Sequence, residues 1–145
     1  MHEFIIRKLN EDDLSKGFFD TLQSLSDVKN MNIKIAKKIF KKINIDENYH
    51  VFVAVNNDQI VGTLTLLIEQ KLTNNCGKSS HIEDVSVHKS FQNKGVATEL
   101  CKRAIEYSKK MKCFQTVLDC ADEVIPLYQK NNFKIHGSAI RYNHL

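Results

Sequence analysis

Three patterns in fixed order between residues 81 and 111 constrain this chain most. An alternating apolar run (Ile82, Val85, Val87) leads into Gln92-Asn93-Lys94-Gly95-Val96-Ala97, and a helical pattern (Leu100, Ala104, Ile105, Ser108, Met111) comes next. The alternation predicts a strand and the later spacing a helix. Strand, glycine turn, helix is a geometry that suits an anion. A glycine lets the backbone approach closely, and the free N–H groups of the first helical turn, at the positive end of the helix dipole, stabilise a phosphate without a dedicated side chain. Most single-glycine turns are only turns, so the surrounding sequence has to decide.

The rest of the chain reads as a mixed α/β fold in one domain, residues 1–145. Residues 4–8 form a first strand. Asn10 caps a helix running to about residue 25, with Asp12 and Asp13 in its first turn, where the dipole favours negative charge. A second helix covers residues 33–43. Residues 50–55 and 60–70 are β-rich and are joined by a hairpin turn at Asn56-Asn57-Asp58. Residues 71–80 are polar and read as a loop or splayed hairpin. After the strand at 81–87 and the helix at 95–111 come a fifth strand (114–118) and a helix capped by Asp122 with Pro126 in its first turn. Closing strands at 133–135 and 139–142 flank Gly137. With one proline and five glycines in 145 residues, no linker is expected.

Lysine and arginine outnumber aspartate and glutamate by 21 to 17, a net charge of +4. That balance suits a small anionic ligand and is too mild to imply nucleic acid. The dense cluster Lys34, Lys37, Lys38, Lys41 and Lys42 alternates with apolar residues at helical spacing. It reads as the solvated face of an amphipathic helix, ahead of a membrane- or partner-binding one. Residues 1–7 are too briefly apolar for a signal peptide, and no run approaches ~18 apolar residues, so a cytoplasmic protein is expected. Cys76, Cys101, Cys113 and Cys120 show no C-x-x-C pairing. They read as free thiols, and no metal is expected.

The run His81-Ile82-Glu83-Asp84-Val85-Ser86-Val87, with Q-x-x-G-x-A five residues on from Gln92 to Ala97, resembles the GNAT superfamily of acetyl-CoA-dependent N-acetyltransferases, whose signature is Q/R-x-x-G-x-G/A. The segments His81-Ile82-Glu83-Asp84, Val117-Leu118-Asp119-Cys120 and Leu127-Tyr128-Gln129-Lys130 are similar to the H-I-E-D, L-D-C and F-Y-x-K segments of eukaryotic glucosamine-6-phosphate N-acetyltransferases. Ile68-Glu69-Gln70-Lys71, ten residues before His81, is similar to that family's I-E-R-K. The likeness covers about residues 4–141 and is densest over 69–133.

This resemblance implies a central mixed, mostly antiparallel sheet whose fourth and fifth strands splay apart between flanking helices. It implies acetyl transfer from acetyl-CoA to the amino group of glucosamine 6-phosphate, a step toward UDP-N-acetylglucosamine, directly in a ternary complex and without metal. Val85, Ser86 and Val87 would pair with the pantetheine arm. Gln92, Asn93, Lys94, Gly95, Val96, Ala97 and Thr98 would hold the pyrophosphate. Tyr128 would stand by the CoA sulfur as general acid, although by residue type alone it reads as half-buried packing. Glu83, Asp84 and Asp119 would surround the sugar amine, with Glu83 and Asp119 in catalytic positions. Neighbours on a strand point to opposite faces, so either only one of Glu83 and Asp84 meets the sugar or a bulge re-aims them. Lys71, Leu72, Thr73 and Asn74 would grip the sugar phosphate, Ser26 would contact substrate, and Arg141 would be donated across a homodimer. The chain departs from the family pattern at Val124, where asparagine is usual, at Asn132 in place of glycine, and at Asn93 and Lys94.

Two other readings stay open. A GNAT enzyme for a polyamine, small amine or protein lysine would want a carboxylate-lined pocket, whereas Lys71 and Arg141 point to an anionic substrate. A non-catalytic CoA-binding domain would have no use for Tyr128 and Asp119. Cys120 beside Asp119 invites a nucleophile reading, but no histidine lies near it in sequence.

Overall fold

The computed structural model describes residues 3–145; Met1 and His2, which open the segment read as too short for a signal peptide, lie outside the described residues. Strands β1 (Ile5–Lys8), β2 (Tyr49–Asn56), β3 (Gln59–Gln70), β4 (Lys78–Val87) and β5 (Cys113–Val117) lie side by side in chain order. The first three pairings are antiparallel and β4–β5 is parallel. Antiparallel neighbours need only short connections, and Asn57 and Asp58, with φ of 44° and 61°, make the two-residue turn between β2 and β3. A parallel pair needs a crossover, and helix α4 (Val96–Lys110) provides it. Helices α1 (Phe18–Leu22) and α2 (Ile33–Ile45) lie on the opposite face, α3 (Thr73–Cys76) is a single turn between β3 and β4, and α5 (Ile125–Lys130) comes after β5.

The alternation along the strands divides the core into two layers. Phe52, Ala54, Leu64, Leu66 and Ile82 meet Val96, Leu100, Cys101 and Ala104 of α4. Val53, Val55 and Ile60 meet Leu9, Leu14, Phe18, Ala36 and Phe40. Leu100 is fully buried, which contributes about 2 kcal/mol. The start of α4 is seated closely on β3: a Cβ at Gly62 would come within 2.5 Å of Val96 Cγ1. That contact fixes where the helix N-terminus points.

Two irregularities in β4 open a gap along the sheet. The β3–β4 register passes from Thr65↔Glu83 to Thr63↔Ser86, so β4 carries one extra residue, and Asp84 takes up the slack at φ 50°. This is a β-bulge, the alternative under which Glu83 and Asp84 are both re-aimed. The pairing of β4 with β5 extends only from Lys78↔Cys113 to His81↔Val117. Beyond that rung the two strands part, as the splayed-sheet expectation requires.

Several expectations are corrected. The first helix is not continuous to residue 25. It is a 3₁₀ turn (Glu11–Ser15) and then α1, broken at Gly17 (φ 84°) and ending at Leu22. The polar stretch 71–80 is shorter as a loop than its composition implies, because β4 already starts at Lys78; Asn74, Asn75 and Cys76 turn it at φ between 50° and 57°. Asp122 does not cap α5 but opens a 3₁₀ turn, with Pro126 second in the helix proper. The expected strands at 133–135 and 139–142 do not form. Their residues are largely exposed, Ile140 at 97%, and a strand exists only where a neighbour completes its ladder. No helix among the described residues is long and apolar enough to cross a membrane.

Candidate active site

Past the His81–Val117 rung, the edge of β4, the chain leaving β5 and the start of α4 enclose a cleft of about 1050 Å³. Its walls carry Glu83, Asp84, Val85 and Val87 from β4, Asp119 and Cys120 from beyond β5, and Tyr128 from α5. Gln92, Asn93, Gly95, Val96, Ala97 and Thr98 line the end formed by the turn into α4, and Lys130 and Arg141 bring two cations to the wall.

The turn into α4 is built to leave its donors free. Gly95 sits at φ 83° and Asn93 at φ 60°, and among the described residues no side chain caps the helix. A Cβ added at Gly95 would meet nothing within 4 Å. Open space therefore lies in front of unpaired N–H groups at the positive end of a 15-residue helix. Together with the edge of β4 left unpaired by the splay, this fits a long ligand with a diphosphate at one end and amides in the middle. CoA has that form.

The acidic groups gather where the strands part. Burial, then the charges of Asp119 and Asp84, push the Glu83 carboxyl up, against a smaller opposite pull from His81. Glu83 is thereby a better proton acceptor than an ordinary surface carboxylate. Tyr49, on β2, feels the same cluster: burial, then Asp84 and Glu83, raise its phenol. Tyr128 is 8% exposed. Burial first, then Cys101 and Cys120, raise its phenol well above the usual range, so it holds its proton at neutral pH. Cys120 is also pushed up, by burial, Asp119 and Asp122, and a thiol that keeps its proton is a poor nucleophile.

Other sequence-derived residues lie elsewhere. Ser86 turns its hydroxyl away from the cleft, donating to the Thr21 carbonyl and pairing with Ser24 Oγ at 2.7 Å, so only its backbone is left for a ligand. Lys94 lies over the Phe91 ring, 4.9 Å from its centroid, and 3.9 Å from Glu3. Ser26 is exposed and off the cleft wall, where Leu25 stands instead. Lys71, Leu72, Thr73 and Asn74 are not on the wall either. Lys71 Nζ bonds Glu69 Oε1 at 3.1 Å, four residues along β3 from the Thr65↔Glu83 rung, about 13 Å away on the same sheet face. Arg141, expected to cross a dimer, stands on the cleft wall of its own chain. Lys130 and Tyr49 were not singled out from sequence as site residues. The K of the F-Y-x-K segment was the available signal for Lys130.

The acetyltransferase (GNAT) family model matches residues 12–133. A glucosamine 6-phosphate N-acetyltransferase of Arabidopsis thaliana is 32% identical over 130 residues, covering 88% of this chain and 87% of that protein. One of Candida albicans is 32% identical over 140 residues, covering 92% and 91%. The crystal structure of glucosamine-6-phosphate N-acetyltransferase from Arabidopsis thaliana superposes with a TM-score of 0.93 at 28% identity, over 97% of this chain and 98% of that one. With a matched model over most of its length and an uncapped helix N-terminus beside a splayed β4–β5 pair, this chain belongs to the GNAT acetyltransferase family.

Proposed function

We propose that this protein transfers the acetyl group of acetyl-CoA to the amino group of D-glucosamine 6-phosphate. The observation that carries this reading is the splay of β4 from β5 beside Glu83 and Asp119 and in front of Tyr128. The names of the Arabidopsis and Candida relatives support the choice of acceptor.

Acetyl-CoA, when bound, supplies a thioester-activated acetyl group. The N–H groups of Gly95 to Thr98 hold its pyrophosphate, and the backbone of Val85, Ser86 and Val87 orients its pantetheine arm. Glu83 and Asp119 attract the substrate ammonium, and Glu83 Oε takes a proton from it, leaving a neutral amine as nucleophile. Tyr128 holds a proton on Oη for the departing sulfur. Lys71, with Leu72, Thr73 and Asn74, binds the sugar 6-phosphate beyond the end of β3, a charge-assisted contact that gives direction as well as affinity. Lys130 and Arg141 add positive charge where anionic ligands enter.

The assembly is a homodimer in which the closing segment 133–145 packs on a second copy. The support is physical. Ile135, Ile140, Tyr142 and Leu145 are exposed apolar groups on one short segment, and β5 has a ladder partner on one side only.

Binding is the first test. Acetyl-CoA at 100 times its dissociation constant adds about 2.7 kcal/mol to stability, so thermal unfolding should move to clearly higher temperature. An unchanged melting temperature at saturating acetyl-CoA contradicts the cofactor assignment.

A further inference from the structure

The strip of sheet leading from the cleft toward Lys71 carries a group that this mechanism leaves idle. His81 is the last rung before β4 and β5 part. It shares a face with Glu83 two residues on, and lies diagonally across β3 from Glu69. Its Nε2 is 2.6 Å from Glu69 Oε2, while the other oxygen of that carboxylate accepts from Lys71. The bond from Lys71, then that from His81, hold the Glu69 carboxyl below its usual range, so it is ionised. An ionised carboxylate only accepts hydrogen bonds. Nε2 therefore carries the proton of that bond, and in the neutral ring Nδ1 keeps a lone pair. Among the described residues, no hydrogen bond to Nδ1 is made.

We propose that His81, oriented by Glu69, is a positioning residue that receives from Glu83 the proton released when an ammonium is acetylated. The proposal rests on the acetyl-transfer reading above. Acetylating a protonated amine forms one N–C bond, breaks one C–S bond and removes two N–H protons. One replaces the proton that Tyr128 gives to sulfur. The other has to leave, or Glu83 stays protonated and cannot act again. Glu83 passes it to Nδ1 through one bridging water. The imidazolium, stabilised by Glu69, then yields it to solvent, to which the His81 side chain is 33% exposed.

Glu69 contacts this ring and Lys71 contacts Glu69; the charged and titratable groups further along are Glu83 and Asp84 on β4, Asp119 beyond β5, which acts on Glu83, and Tyr49 on β2, on which Asp84 and Glu83 act. Among them Glu83 feels His81 directly: burial, Asp119 and Asp84 push its carboxyl up, and His81 alone pulls it back.

The test is steady-state thiol release with acetyl-CoA and glucosamine 6-phosphate across the pH range. His81→Gln should lower kcat at neutral pH by ~10²-fold, the low end of what a positioned proton-transfer group contributes. The deficit should shrink toward alkaline pH, where the amine loses its proton unaided, and His81→Ala should regain activity with added imidazole. Glu69→Gln keeps the ring but withdraws the carboxylate that orients it, so its kcat should fall in the same direction as that of His81→Gln and its deficit should likewise shrink toward alkaline pH. Melting temperature and the KM for acetyl-CoA should stay near wild type in each variant. A deficit independent of pH, no response to imidazole, or wild-type kcat in Glu69→Gln overturns the relay. If His81 variants do not fold, Glu69→Gln alone decides. Absence of wild-type turnover on glucosamine 6-phosphate defeats instead the acceptor assignment on which the relay rests.

Discussion

Tyr128 and Glu83 face the same cleft, and burial acts on both to favour the protonated form, with different results. In a phenol that outcome preserves a proton donor; in a carboxyl it makes a stronger acceptor. Tyr128→Phe should therefore lower kcat by ~10²-fold or more with little change in acetyl-CoA affinity, because the lost interaction matters mainly in the transition state. Wild-type turnover in that variant would return Tyr128 to packing, its bland reading. A second residue prediction concerns stability. Asp13 is 1% exposed and accepts from both terminal nitrogens of the Arg7 guanidinium, Nη1 and Nη2, at 2.6 and 2.8 Å. Burial pushes its carboxyl up, but the Arg7 bond, the Asn10 N–H and the charges of Arg7 and Lys16 more than offset this and leave it lowered. A lowered carboxyl contributes stability above its unfolded value, about 3.9, and loses it as pH falls below that toward the folded value. Asp13→Asn should cost about 3 kcal/mol near neutral pH and flatten the unfolding curve below pH ~4; equal acid sensitivity in both proteins would contradict this. That Glu83, Asp119 and Tyr128 line one cleft was legible only through the resemblance carried by the H-I-E-D, L-D-C and F-Y-x-K segments. Tyr49, on β2, was not, since its nearness to Glu83 depends on the register of three strands. The Ser86 side chain was likewise invisible, because its partner Thr21 is 65 residues away.

At the scale of elements, the turn into α4 is the piece that sequence described most fully. Its glycine, its open front and the helix behind them belong to one local unit, so pattern and structure agree; its close seat on β3, through Gly62 and Val96, is a long-range contact that the pattern did not show. Gly95→Val places a β-branched residue at φ 83°, a conformation such side chains rarely adopt. That variant should remain folded yet lose most of the melting-temperature shift given by acetyl-CoA. A full shift would mean that the anion binds elsewhere. The bulge at Asp84 was only one of two alternatives from sequence, since nothing in His81-Ile82-Glu83-Asp84 distinguishes a regular strand from a bulged one. The failures have one cause. A helix continuous to residue 25 looked reasonable until Gly17 met β3, where it lies against Ile60. Closing strands looked reasonable from β-forming residues, but a strand also needs a partner.

At the scale of the whole molecule, the mixed sheet and the order of its five strands were legible because helical and strand periods alternate along residues 4–118; the splay was implied by the family resemblance alone. Assembly was not legible in the same way: an exposed apolar segment states that something covers it, not what. If the cover is a second copy, sedimentation at micromolar concentration should give a dimer, and truncation after Gly137 should give a monomer with impaired turnover. A wild-type monomer with full activity would contradict the assembly. The sharpest question concerns the acceptor, because the acidic cluster of Glu83, Asp84 and Asp119 alone would also suit a polycation. Lys71, Lys130 and Arg141 argue for an anion at the other end of the substrate. Thiol release from acetyl-CoA should therefore be compared for glucosamine 6-phosphate, glucosamine and spermidine, in wild type and Lys71→Ala. The account predicts fastest release with glucosamine 6-phosphate, with its KM raised ~10- to 100-fold by the substitution, the loss of a charge-assisted contact of about 1.5–3 kcal/mol, while glucosamine stays poor and unaffected. Faster release with spermidine than with the sugar phosphate would contradict it.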